Sequence, residues 1–151
     1  MADPPNLTDA LVELSFLIQA KLARLAAEHE VSLAQVRLLG ILRDREPGIV
    51  ELAGVLNLDK SSVSGLVDRA QRRGLVERAS SKSTDGRAIR VVLTEPGRGM
   101  VSEFAERVSE EIAELVKDFS PAQCERLAVQ AARIVAASGI SRGLESPNAR
   151  T

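Results

Sequence analysis

Apolar residues recur at intervals of three and four along most of this chain, and that spacing marks helices with one buried stripe. Leu11, Leu14, Ile18, Leu22 and Leu25 form the first stripe, with Thr8 placed to cap its start. The segment HEVS interrupts it. Ser32 and Gln35 then make a capping-box pattern ahead of Val36, Leu39 and Leu42, a second helix that Pro47 and Gly48 bring to an end. A short third helix, IVELAGVLN, is expected to bury Val50, Ala53 and Leu56. Asp59 can cap a fourth, KSSVSGLVDRAQRRG, whose Val63, Leu66, Val67 and Ala70 share one face, and Gly74 is its natural stop. The helical period then gives way to alternation: LVERAS and AIRVVL read as the strands of a hairpin, with Ile89, Val91 and Leu93 turned inward. Thr94 can cap a long fifth helix carrying Val101, Phe104, Val108, Ile112 and Leu115. Ser120 and Pro121 open a sixth with Leu127, Ala131 and Ile134, which Gly139 closes.

This order predicts a mainly α fold. Residues 31–98 would form a helix-turn-helix followed by a two-stranded wing, framed by an N-terminal helix within residues 1–30 and two C-terminal helices within residues 99–140. The first and last helices carry apolar stripes with no lobe of their own to cover, which predicts a dimer. Residues 141–151 are polar, contain Gly and Pro, and read as a disordered tail.

Composition narrows the function. Three Phe with no Trp or Tyr argue against an aromatic platform for stacking single strands and against an aromatic cage for a cation. The one Cys, Cys124, allows no intramolecular disulfide and favours a reducing compartment. The opening MADPPNLTDA lacks the basic start of a signal peptide, and charges interrupt every apolar run, so a cytosolic protein without membrane contact is expected.

The net charge of -1 gives no hint of an anionic partner, but its distribution does. Between Leu58 and Arg90 lie eight bases (Lys60, Arg69, Arg72, Arg73, Arg78, Lys82, Arg87 and Arg90) against four acids, a local excess of +4. At about 100° per residue, Ser61, Gly65, Asp68 and Arg72 lie opposite the buried stripe of the fourth helix, flanked by Ser62, Ser64 and Arg69. Small residues at the N-terminal end let a helix sink into a major groove, where hydroxyls meet base edges, while arginines a turn or two later reach phosphates. The hairpin supplies a basic tip: Lys82, an Asp85-Gly86 turn, and Arg87 just after it. Arg90 falls on the strand face opposite Ile89 and Val91, toward solvent.

VSLAQVRLLGIL (31–42), ELAGVLNLDKSSVSGLVDRAQRRGLVER (51–78) and DGRAIRVVLTEPGR (85–98) together resemble the MarR (multiple antibiotic resistance regulator) family of bacterial transcription factors. The D-x-R of Asp85 and Arg87, followed by Leu93-Thr94 and a helix, is similar to that family's wing signature. With the flanking helices the resemblance runs from about Leu7 to Ala137. It implies a homodimeric regulator, a repressor responsive to a small-molecule effector, on palindromic double-stranded DNA. It further implies base contacts from Ser61, Ser62 and Ser64, backbone contacts from Arg69 and Arg72, and a wing contact from Arg87, with Lys60, Lys82 and Arg90 beside them. Many family members have a basic residue where this chain has Gly65. Many also bind small carboxylates in a cleft between the dimerisation helices and the DNA-binding lobe. Phe16, Leu17, Leu39 and Arg43 fall in the matching region.

Other chemistry finds little support. His29 is the sole histidine, too few for a metal site, and Glu110, Glu111 and Glu114 interleave with core positions as a solvated helix face. EPGRG lacks the ending of a phosphate loop. Thiol-sensing relatives place a Cys near the first helix, where this chain has none, so Cys124 reads as a buried or incidental thiol. No catalytic residue, cofactor or metal is expected. A winged helix used only to bind protein is the main alternative, and the eight bases argue against it.

Overall fold

The computed structural model describes residues 4–80 and 88–139. The chain runs α1 (Leu7–Glu28), α2 (Leu33–Leu42), α3 (Ile49–Leu56), α4 (Lys60–Arg72), β1 (Val76–Ser80), β2 (Ile89–Leu93), α5 (Glu95–Leu115) and α6 (Pro121–Ala137). Lys82, Asp85, Gly86, Arg87 and the expected tail at 141–151 lie outside the described residues.

Local chemistry sets most helix starts. The side chains of Ser32, Asp59 and Thr94 each accept a backbone N–H three residues on, and Ser120 and Gln123 close a reciprocal capping box. At α1 the cap is Asn6, whose side chain accepts from the Thr8 N–H at 2.9 Å, so Thr8 lies inside the helix rather than at its cap. Gly74 ends α4 with φ +71, a conformation open to glycine without strain.

One core joins α2, α3, α4 and the base of the hairpin. Leu38, Leu52, Val63, Val67, Val76 and Val91 are its fully buried centre, with Leu66 and Ala70 beside them. Burial stabilises each such Val or Leu side chain by roughly 1.5–3 kcal/mol, so the stripe on α4 anchors that helix and fixes its rotation. Two core expectations need correction. In α3 the buried residues are Leu52 and Leu56, while Val50 is 66% exposed. In β2, Ile89 is 54% exposed and Val92 is buried with Val91 and Leu93, because at the base of the wing both faces of the strand are covered and alternation is lost.

β1 and β2 pair antiparallel with Val76 opposite Leu93 and Ser80 opposite Ile89. The Val91 N–H donates to the Pro47 carbonyl at 2.8 Å, which ties the wing to the α2–α3 connection. α5 starts directly on the wing base: the Thr94 N–H donates to the Leu75 carbonyl at 3.1 Å. From there α5 runs back along α1, where Lys21 (2.6 Å) and Arg24 both grip Glu111. The Lys21 hydrogen bond is the main reason that the Glu111 carboxyl titrates below its ordinary value. No residue of α6 is buried, and Leu127, Val129, Ile134 and Val135 stand exposed on it.

Candidate nucleic-acid interface

α4 presents its polar side outward. Lys60, Ser61, Ser62, Asp68, Arg69 and Arg72 are exposed, and Ser64 and Gly65 are half-buried. Asp59 orders the start of this surface. Its carboxylate accepts the Ser62 N–H at 2.8 Å and the Ser62 hydroxyl at 2.7 Å, so that hydroxyl's proton is committed to the cap. The Ser62 hydroxyl, and then the backbone N–H, hold the Asp59 carboxyl below its ordinary value. The cap therefore adds stability above the usual carboxylate range and loses it only as pH falls through the lowered value.

Gly65 leaves a gap that Arg69 fills. A β-carbon at Gly65 would meet only Nη1 of Arg69, at 3.4 Å. The Arg69 guanidinium thus folds back over the position where a basic side chain would otherwise start.

The two flanks of α4 are handled differently. On the wing side, Arg78 of β1 donates to Asp68 at 2.8 Å and also to Gln71. This clamp joins the wing to α4 and neutralises Asp68, the one acid on the outward face, which would repel a phosphate. On the other side, Arg73 donates to the carbonyls of Glu30 and His29, the latter at 3.1 Å, and pins the α1–α2 turn against α4. Arg69 and Arg72 have no ion-pair partner among the described residues. Sequence reasoning missed the Arg73 and Arg78 contacts. Both arginines were visible in the charge run, but partners 7 to 44 residues away leave no local signal.

Arg90 is placed differently from its expected outward role. It is half-buried and paired with Glu46 of the α2–α3 connection. Its Nε is buried without a hydrogen-bond partner among the described residues. It braces the wing against that connection, beside the Val91–Pro47 bond.

A separate cavity of about 230 Å³ lies between α1, α2 and α5. Leu22, Val36, Leu39, Val101 and Phe104 make it apolar, and Arg43 stands at its edge, paired with Asp44 at 3.0 Å. Leu39 and Arg43 therefore sit as expected, whereas Phe16 and Leu17 are exposed on α1 and do not line it. Among the described residues no group of three or more His, Cys, Asp or Glu is arranged to hold a metal, and no helix is long and apolar enough to cross a membrane. Cys124 is half-buried on α6.

A core-anchored helix-turn-helix, a two-stranded wing and an outward helix face of small residues and arginines define a winged helix-turn-helix protein. Residues 29–88 match the sequence profile of the MarR family. Solved structures extend the likeness to the flanking helices. RV1404 from Mycobacterium tuberculosis is 28% identical over 95% of both chains, with a TM-score of 0.75. Wild-type apo MarR from E. coli is 21% identical, covers 88% of this chain and 99% of its own, and has a TM-score of 0.70. NadR, solved with 4-hydroxyphenylacetate, is 18% identical over 89% of this chain and 95% of its own, with a TM-score of 0.70. The overall fold is that of these solved structures. No curated protein matches the chain by sequence.

Proposed function

We propose that this protein is a sequence-specific repressor that binds a palindromic operator as a homodimer in the cytoplasm and performs no catalysis. Residues 31–98 form its DNA-binding lobe, and the helices within 1–30 and 99–140 form its dimerisation region. The observation that carries the reading is the outward face of α4: exposed Ser61 at its N-terminal end, half-buried Ser64 and Gly65 next to it, and, a turn or two later, Arg69 and Arg72, which have no ion-pair partner among the described residues. The serines meet base edges, the two arginines and Lys60 meet phosphates, and the wing carries Lys82 and Arg87 to the neighbouring backbone or minor groove around the Asp85-Gly86 turn. Arg69, lying over Gly65, takes the place of the missing basic side chain.

The apolar cavity with Arg43 at its edge supports a small organic acid as effector. NadR is solved with such an acid, and the space here suits a ligand of that size.

The test is binding to a panel of single-base operator variants at two salt concentrations. Ser64→Ala should change the preference at one or two positions by several-fold, since a single hydroxyl gives less than the roughly 1–3 kcal/mol of a bidentate contact. Arg72→Ala should lower affinity about equally for all variants, and this loss should shrink as salt rises. The reverse pattern would mean that α4 sits in the groove with a different rotation.

A further inference from the structure

We propose that the groove between the start of α2 and the second half of α4 seats a DNA backbone phosphate, with Gln35 as a contact residue. The inference rests on the DNA-binding reading above. The groove has a volume of about 350 Å³. Glu30, Ser32 and Gln35 form one wall, and Arg69, Arg72 and Arg73 form the other.

Gln35 is only 5% exposed. Its backbone N–H is taken by the Ser32 side chain at 3.2 Å, yet its side-chain amide has no hydrogen-bond partner among the described residues. The side chain is almost wholly buried, and its unpaired amide reaches solvent beside the groove that it lines. There its NH₂ can donate to an anion. The same wall holds the N-terminus of α2, whose first N–H groups and dipole favour negative charge. Opposite stand Arg69 and Arg72, which have no ion-pair partner among the described residues. Arg73 instead fixes the geometry by holding the Glu30 and His29 carbonyls.

Position on the helix gives the occupant. Arg69 and Arg73 lie on the flank of α4 away from Asp68 and Gln71, which face the wing. A duplex against the outward face meets backbone on both flanks, so this groove would take the strand that the wing does not reach. One group works against the anion: Glu30 places a carboxylate in the same groove.

That conflict supplies the test. The full chain is titrated into a duplex oligonucleotide of random sequence at low salt, followed by fluorescence anisotropy. Random sequence isolates backbone contacts from base reading. Gln35→Glu, nearly isosteric, should weaken binding roughly three- to tenfold, and Glu30→Gln should strengthen it roughly two- to fivefold, with both differences fading at high salt. Circular dichroism checks that each variant folds. Glu30 is exposed, so Glu30→Gln decides the matter alone if Gln35→Glu does not fold. Wild-type binding with folded variants of unchanged affinity overturns the phosphate seat and leaves the DNA-binding reading intact. Absence of wild-type binding overturns both.

Discussion

Gly97→Ala should unfold the protein at a markedly lower temperature than wild type. Gly97 lies in the first turn of α5, pressed against the base of the wing. A β-carbon there would stand 1.9 Å from the Leu75 carbonyl oxygen and 2.9 Å from its carbon. The obstacle is backbone, so no rotamer change can relieve it. Leu75 is also held in place: its side chain is buried, and its carbonyl accepts the Thr94 N–H. α5 would have to lift off the wing, straining the Thr94 cap and the Arg98 bond to the Leu93 carbonyl at 2.7 Å. Overpacking commonly costs about 1–3 kcal/mol, and a clash onto fixed backbone belongs at or above the upper end. For a chain of this length that lowers Tm by roughly 6–12 °C. Gly99→Ala is the control: its β-carbon meets nothing within 4 Å, so the change should be neutral or stabilising by up to about 1 kcal/mol. Equal melting of the two variants would show that α5 is not docked on the wing as described.

The second large effect concerns the faces that this chain leaves uncovered. α6 exposes Leu127, Val129, Ile134 and Val135, and α1 exposes Leu11, Val12, Leu14, Phe16 and Leu17. Two helices with this much apolar surface in water suit a partner surface. On the homodimer reading, replacing both Leu127 and Ile134 with Asp should give a monomer at micromolar concentration by sedimentation. Neither side chain packs in the protomer's core, so circular dichroism should show the remaining fold retained. Affinity for an inverted repeat should fall by about two orders of magnitude or more, because the second half-site would no longer bind as part of one molecule. A double variant that stays dimeric would place the dimer contact elsewhere.

How far the sequence was legible depended on how local each cause was. The stripe on α4 was fully readable, since Val63, Leu66, Val67 and Ala70 need only helical spacing to share a face, and all four are buried. The caps at Asp59, Thr94 and Ser120 were readable for the same reason: each acts within three residues. The α1 cap was misplaced because Asn6 and Thr8 are both capping residues, and the choice between them depends on where the first turn forms. Val50 and Leu52 could not be ranked from pattern alone, because α3 is apolar over most of its surface and its contacts with α2 and α4 decide which side is buried. The stripe on α6 was seen, but periodicity reveals an apolar face without telling what covers it. At the candidate interface, the outward face of α4 followed directly from the buried stripe. The clamp from Arg78, the brace between Arg90 and Glu46, and the groove beside Gln35 arise only when distant segments meet.

The central claim is that two copies of this chain read one duplex, each through its α4. Footprinting the DNA that flanks its gene, combined with the stoichiometry of the complex, tests this most directly. An inverted repeat should be protected on two half-sites, with centres about one helical turn apart or a multiple of it, and two chains should be bound per duplex. Absence of any protected inverted repeat, or a single chain bound at one isolated site, would contradict it.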